Sequence, residues 1–202
     1  MKNIGLATIT AVVLLFSSCA TNYKAQLNAL GNFNYQVQSV DQLRLAGRDI
    51  DSFGAKDGIS VASLPGIAFA LLRQDLPLQG RLLLQISNPT TTFANINEFK
   101  YIIELAGKPL FEGAVDENIR LATGQTMVVP LSFNANIFGI AKEQGFDKVL
   151  GDILTRKSNA ILALKIKPSI KVGNKNYFYP GYITVDKDLG KSLLKVADKL
   201  SN

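Results

Sequence analysis

The feature that most constrains the fold is a series of short segments in which apolar and polar residues alternate. The clearest of these segments is residues 33–39, Phe-Asn-Tyr-Gln-Val-Gln-Ser, and apolar residues also occupy every second position over residues 82–86, 99–105, 127–133 and 162–166. Strict alternation places every second side chain on the same face, as in a strand that is buried on one side. Seven or so such strands joined by turns predict a mainly β chain with a β-sandwich, since helices appear only between or after them.

The inward faces of the predicted strands are apolar. They comprise Phe33, Tyr35 and Val37; Leu82, Leu84 and Ile86; Phe99, Tyr101, Ile103 and Leu105; Met127, Val129, Leu131 and Phe133; and Leu162, Leu164 and Ile166. The chain from Tyr177 to Val185 is predicted as one final strand, which follows a turn at residues 173–176. Together these strands define a sandwich domain over residues 33–186.

Three segments change to the spacing of an amphipathic helix. Helical insertions are expected near residues 63–74, where a serine and a proline can start a helix, and near residues 135–158, which Gly145 divides. Residues 187–202 are expected to form a C-terminal amphipathic helix, because leucine and valine recur there at helical intervals.

The N-terminus has the pattern of a secretory signal peptide. Lys2 is followed by an uncharged, mostly apolar stretch from residue 4 to residue 16 and then by small residues. That stretch is shorter than the ~20 residues that a transmembrane helix needs. We therefore expect residues 1–18 to be removed as a signal peptide.

The only cysteine of the chain lies where such a leader would end. Residues 16–19, Phe-Ser-Ser-Cys, resemble a bacterial lipobox, in which cleavage precedes the cysteine and the thiol then carries lipid. Cys19 is thus predicted to be lipidated, with diacylglycerol and palmitate chains that hold the protein on a bilayer. Residues 19–32 would form the lipid-anchored tether or a short helix. The alternative is a free or buried cysteine behind an ordinary signal peptide.

The residues after Cys19 and the charge of the chain bear on its location. No aspartate follows the cysteine and no acidic cluster is near it, which resembles lipoproteins sorted to the periplasmic face of the outer membrane.

The chain has 22 basic and 16 acidic residues, and loss of Lys2 with the leader leaves 21 against 16. This positive charge suits an anionic lipid or an acidic partner. Nucleic acid is not an expected partner outside the cytoplasm.

Composition also restricts the chemistry. The chain has no histidine, and its single cysteine is assigned to the anchor. Ser-His-Asp and Cys-His catalytic groups and histidine-ligated metals are therefore excluded. We expect no catalytic residue, no metal site and no cofactor; a hydrolase with an unrecognised carboxylate site is a remote alternative.

An aromatic cluster near the C-terminus is the candidate ligand-binding site. Tyr177, Tyr179 and Tyr182 lie close together in the sequence, and exposed rings of this kind stack on sugars or grip peptides. The alternative is that these rings pack in the core and protect a sheet edge.

A basic stripe on the last predicted helix is the candidate anionic-surface contact. Its members recur every four residues and are Lys187, Lys191, Lys195 and Lys199. Each lysine near an anionic membrane contributes about 1 kcal/mol to binding. The alternative is an ordinary solvated helix face.

The order of short motifs over residues 82–133 resembles a known family. A strand ends in Asn88-Pro89, and a strand with Phe99, Tyr101, Ile103 and Leu105 follows. Gly107, Leu110 and Gly113 come next, and then Val128-Val129-Pro130-Leu131. This order is similar to the late embryogenesis abundant type 2 family, also called the water-stress and hypersensitive-response domain. The resemblance implies an immunoglobulin/fibronectin-like antiparallel sandwich without a known active site.

The sequence therefore predicts a non-enzymatic, lipid-anchored periplasmic module of the bacterial cell envelope, with a binding or structural role. The alternative function is a carbohydrate-binding lipoprotein that uses the tyrosine cluster. The expected partners are the membrane, through the lipid anchor, and an envelope protein or glycan.

Overall fold

A computed structural model describes residues 23–53, 65–105, 107–154 and 162–186. The predicted signal peptide, Cys19 and the predicted C-terminal helix over residues 187–202 lie outside these ranges. The described ranges contain eleven strands. In chain order they are β1 (Asn34–Leu45), β2 (Arg48–Asp49), β3 (Pro77–Ser87), β4 (Ala94–Ile96), β5 (Phe99–Leu105), β6 (Lys108–Val115), β7 (Ile119–Leu121), β8 (Thr126–Asn136), β9 (Leu162–Val172), β10 (Lys175–Phe178) and β11 (Ile183–Asp186).

Helices occupy the ends of the sandwich. They are α1 (residues 23–31), α2 (Pro65–Leu72), α3 (Phe138–Gln144) and α4 (Phe146–Leu154), and a 3-10 turn spans Ile50–Phe53. The two predicted insertions are therefore helical. Gly145 separates α3 from α4, as predicted, and its φ of 96° suits glycine.

The strands form two main antiparallel sheets. The first has the order β2-β1-β3-β8; the second has the order β10-β9-β5-β6, and β11 also pairs with β9. A small sheet joins β4 to β7. At the two edges, β6 lies beside β8 and β1 lies beside β11. This confirms the β-sandwich that the strand pattern predicted and the antiparallel arrangement that the family resemblance implied.

The predicted inward residues form the core, with one clear exception. The alternate residues of β3, β5 and β9 are almost completely buried. Met127 was predicted to point inward, but it is 41% exposed. It is the second residue of β8 and lies opposite Ile86 near the end of β3, so it is at the end of the sheet, whereas Val129 and Leu131 further along the same strand are buried.

The prediction of one strand from Tyr177 to Val185 was wrong. The chain forms β10, leaves the sheet, and pairs with β9 again as β11. Pro180 has no N–H to donate to a ladder, and Gly181 adopts a φ of 86°, so these two residues interrupt the strand.

The turn after β3 depends on a buried amide. Asn88 is fully buried, and its Nδ2 donates to the carbonyl oxygens of Thr92 (3.0 Å) and Leu121 (2.9 Å). Its Oδ1 accepts from the backbone N–H of Thr90 at 2.9 Å. A buried amide with these partners stabilises the connection to β4 and β7, so the Asn-Pro pair has a structural role.

The register of the strands defines two opposite ends. Helix α1 leads into the start of β1, and that end also contains the β9–β10 hairpin, the start of β8 and the end of β3; we call it the α1 end. Helix α2 precedes the start of β3 at the other end, where α3 and α4 follow β8; we call it the α2 end. Leu30 of α1 is fully buried and Ala29 is 5% exposed, so α1 is part of the core.

Tyr101 links the two sheets. Its side chain projects from β5, and its hydroxyl donates to the carbonyl oxygen of Ser132 in β8 at 2.8 Å. Its ring lies over Gly113 of β6, where a Cβ would be 2.4 Å from the ring. Burial raises the pKa of the Tyr101 hydroxyl, consistent with a phenol that stays protonated as a donor.

We predict that Gly113→Ala lowers the free energy of unfolding by about 1–3 kcal/mol, because the new methyl group must displace the Tyr101 ring. Urea unfolding measures the change. Gly139→Ala is the matched control: no atom lies within 4 Å of the new methyl group, and the residue is in α3. The control should be more stable by about 0.5–1 kcal/mol. Equal changes in the free energy of unfolding at the two positions would contradict close packing of the Tyr101 ring on Gly113.

Candidate functional site

Two of the three candidate tyrosines pack against α1. The rings of Tyr177 and Tyr23 have centroids 5.4 Å apart. The Tyr179 ring covers Gly31, where a Cβ would be 2.6 Å from the phenol oxygen. Both side chains therefore help to hold α1 on the sandwich, although Tyr177 remains 40% exposed.

Tyr182 lies elsewhere. The Lys167 Nζ is 5.6 Å from the centre of the Tyr182 ring, on the outer face of the second sheet. Tyr177 instead pairs across the strands with the buried Ile170, so it points to the opposite face. The structure does not bring the three tyrosines together on one surface. The four lysines of the candidate basic stripe lie outside the described residues.

A polar groove crosses the outer face of the first sheet. Its volume is about 460 Å³, and its polar side chains include Arg44, Asp49, Gln79, Arg81, Ser132 and Asn134. These residues come from four strands, and each one points away from the core. Their amide, hydroxyl, carboxylate and guanidinium groups supply both donors and acceptors to the groove.

The register of the first sheet assembles the groove. Gln79 of β3 lies between Arg44 of β1 and Asn134 of β8, and Arg44 lies opposite Asp49 of β2. One row of four hydrogen-bonding side chains therefore crosses the sheet. In the neighbouring row, Arg81 lies between Asp41 and Ser132.

A bulge in β1 shapes one side of the groove. The pairing with β3 shifts between Asp41 and Arg44, and Gln42 has a φ of 54°. An extra residue in one strand bends it and redirects its side chains. The bulge thus leaves Gln42 exposed at the groove wall.

Arg81 is the groove residue with unused hydrogen-bonding capacity. Its Nη2 is 3.6 Å from Asp41 Oδ2, and Asp41 Oδ1 also accepts from the Ser39 hydroxyl at 2.9 Å. Its Nε is buried and has no hydrogen-bond partner among the residues that the structure describes. The Arg81 side chain as a whole is 40% exposed, so other atoms of its guanidinium face the groove. That exposed part is the donor that a polar ligand can use.

A second groove of about 650 Å³ lies between the edges of β1 and β11, where Phe33, Tyr35 and Val185 contribute to its lining. The Tyr35 hydroxyl donates to the carbonyl oxygen of Leu30 at 2.8 Å, which fixes the end of α1. Burial raises the Tyr35 pKa far above its usual value, and the neighbouring Tyr179 raises it further.

The described part of the chain contains no group of three or more histidine, cysteine, aspartate or glutamate side chains placed to hold a metal ion. Among its helices, none combines the length and the apolar character that crossing a membrane requires.

Comparisons with known proteins found structural neighbours only. No family model matches the chain, and no curated protein matches it. A crystal structure of a protein from Archaeoglobus fulgidus is 14% identical, with a TM-score of 0.33, over 55% of this chain and 86% of that chain. A solution structure of a protein described as late embryogenesis abundant is 13% identical, with a TM-score of 0.35, over 91% of this chain and 92% of that chain. At these TM-scores the similarities carry no argument about activity.

We predict that Tyr35→Phe makes the free energy of unfolding less dependent on pH above pH 10. At pH 8 the variant should be less stable by about 1 kcal/mol, because it lacks the hydrogen bond to Leu30. Above pH 10 the unfolded wild type ionises Tyr35 while the folded state keeps it protonated, which lowers wild-type stability by about 1.4 kcal/mol per pH unit. The difference between the two proteins should therefore shrink and then reverse.

Urea unfolding between pH 8 and pH 11.5 measures this difference, and Tyr182→Phe is the control. Tyr182 is 42% exposed on the outer face of the second sheet, so the difference between its variant and the wild type should stay constant over this pH range. A constant difference between wild type and Tyr35→Phe across the range would contradict the role of burial.

Proposed function

We propose that this chain is a non-enzymatic, lipid-anchored module of the bacterial cell envelope, attached through Cys19. The observation that carries the proposal is the position of the only cysteine, which directly follows a leader-like segment and completes a lipobox-like Phe-Ser-Ser-Cys. Acyl chains on that thiol would hold the protein on a bilayer. Its expected location is the periplasmic face of the outer membrane.

The fold supports this proposal at the point where the chain would leave the membrane. Tyr23 is only four residues beyond Cys19, and it already belongs to α1. Leu30 is fully buried and the Tyr179 ring covers Gly31, so α1 is held on the sandwich by packing. A lipid on Cys19 would therefore hold the folded domain itself close to the bilayer, with no long flexible linker between them.

The family assignment is also part of the proposal. The order of motifs over residues 82–133 supports membership in the late embryogenesis abundant type 2 family. In the structure, Asn88 organises the turn that the Asn-Pro motif predicted, and Gly113 accommodates Tyr101. These contacts give physical reasons for the residues on which the resemblance depends. They concern packing, which fits a domain that binds or supports other molecules without catalysing a reaction.

We predict that Cys19→Ala abolishes acylation. Cells that express the full chain and are supplied with labelled palmitate should label the wild type, while the variant remains unlabelled and keeps its leader. Ala20→Ser is the matched control, because it changes a neighbouring small residue and leaves the thiol in place. Label that persists in Cys19→Ala, or a free thiol in the mature wild type, would contradict the anchor.

A second candidate function is binding of a glycan in the polar groove of the first sheet. The observation that favours it is the row of polar side chains, with a partly exposed Arg81, that lines a groove of about 460 Å³. Arg44 and Arg81 are balanced there by Asp41 and Asp49, which suits a neutral ligand with many hydroxyl groups. This places the glycan on different residues from the tyrosine cluster, since Tyr177 and Tyr179 pack on α1.

We predict that Arg81→Met weakens binding of neutral envelope oligosaccharides by about tenfold or more, because a charge-assisted hydrogen bond contributes about 1.5–3 kcal/mol. Titration calorimetry of the full chain measures the affinity. Arg120→Met is the control, because Arg120 is exposed on β7, away from the groove. Wild-type binding that survives Arg81→Met but is lost in Tyr182→Ala would assign the ligand to the tyrosine instead.

A further inference from the structure

Exposed apolar side chains are concentrated at the α1 end of the sandwich. Five large ones lie in the strands and loops of that end: Phe93, Met127, Val128, Val172 and Tyr177, each between 40% and 50% exposed. The register places Met127 and Val128 beside the last residues of β3, and Val172 beside the turn of the β9–β10 hairpin. Apolar surface that the core does not use is a mark of a contact surface.

The position of Tyr23 connects this end to the proposed anchor. If Cys19 is lipidated, as we propose above, the four residues from Cys19 to Tyr23 span at most about 14 Å. The Tyr23 ring lies against the Tyr177 ring of β10. The β9–β10 hairpin is therefore held near the bilayer surface.

The opposite end has its own exposed apolar side chains, which compete with the α1 end for contact with the bilayer. In α2, Leu72 is 84% exposed and Phe69 is 56% exposed. The two ends are separated by the length of the twelve-residue β1, which is about 35 Å for an extended strand. A four-residue connection keeps the α1 end near the membrane that holds Cys19, whereas the α2 end reaches that membrane only if the sandwich lies on its side.

The hairpin has the chemistry of a membrane–water interface. Lys171 and Lys175 are exposed on its two strands, next to Val172 and Tyr177. Tyrosine favours the headgroup level, and each lysine near an anionic surface adds about 1 kcal/mol. Two acidic groups lie at the same end: residues 116–117 follow β6, and Glu98 Oε2 accepts from Asn176 Nδ2 of the hairpin at 2.8 Å. Because carboxylates repel anionic headgroups, we confine the contact to Tyr23 and the lysine, valine and tyrosine side chains of the hairpin.

We propose that the β9–β10 hairpin, together with Tyr23, lies against anionic lipid headgroups when the protein is anchored. The contact sets the orientation of the sandwich: the hairpin faces the bilayer, and α2, α3 and α4 project away from it. The polar groove, which lies nearer the α2 end through Gln79 and Asn134, then stays accessible.

Because the chain contains no tryptophan, single-tryptophan reporters test this orientation. The full acylated chain with Tyr177→Trp or Leu72→Trp is placed on vesicles of phosphatidylethanolamine and phosphatidylglycerol, whose acyl chains are brominated near the headgroup. We expect bromine to quench the Tyr177→Trp variant at least twofold more than the Leu72→Trp variant. Val172→Trp should behave like Tyr177→Trp, and it replaces that variant if the change disturbs packing on Tyr23. Equal quenching at both ends, or stronger quenching at Leu72→Trp, overturns the proposal.

The charge of the hairpin is tested in the same system. Lys171→Glu with Lys175→Glu should reduce the quenching of the Tyr177→Trp variant by half or more. The control pair, Lys142→Glu with Lys148→Glu, changes exposed lysines of α3 and α4 and should have no effect. Unchanged quenching with the hairpin pair overturns the role of the lysines.

Vesicle flotation separates this proposal from the proposed anchor. A chain that fails to float with vesicles contradicts both proposals. A chain that floats through acylated Cys19, but shows equal quenching at the two ends, contradicts only the orientation.

Discussion

The structure depends on burial of the apolar rows of two sheets against each other. Each sheet alone would expose one face of leucine, isoleucine and phenylalanine side chains to water, and burying each such side chain contributes about 1.5–3 kcal/mol. Leu84 of β3 and Ile103 of β5 are both fully buried between the sheets. Tyr101 adds a direct hydrogen bond from one sheet to the other. The sheets are therefore stable only together, and the inner faces are used for packing.

This use of the inner faces determines where function can reside. The outer face of the first sheet has the polar groove, with Arg81 at its centre, and the α1 end has the exposed hairpin. Helix α1 connects the folded sandwich to the proposed lipid anchor, because Leu30 is buried in the core and the helix begins four residues after Cys19. In the proposed arrangement, the anchor, the sandwich and the exposed hairpin would form one unit with a defined orientation.

Local sequence patterns predicted the elements better than their assembly. Alternation predicted the inward rows of β3, β5 and β9, and glycine predicted the break at Gly145, because these signals are local. The prediction for Met127 was wrong because alternation does not show that the end of a strand lies beyond the covered part of the sheet. The prediction of one final strand was wrong because it ignored Pro180, which cannot donate to a ladder. The groove was missed because its residues meet only through the register of four strands. The bulge at Gln42 has no clear sequence signal.

The docking of α1 is the central claim, since it makes the proposed anchor part of the folded domain. Native-state hydrogen exchange of the full chain tests it most directly, by comparing the amides of residues 27–31 with those of β3. Because Leu30 is fully buried, we expect both sets to exchange only through global unfolding, with the same free energy of opening. Amides of residues 27–31 that exchange as fast as those of an unfolded peptide, while β3 stays protected, would contradict the account.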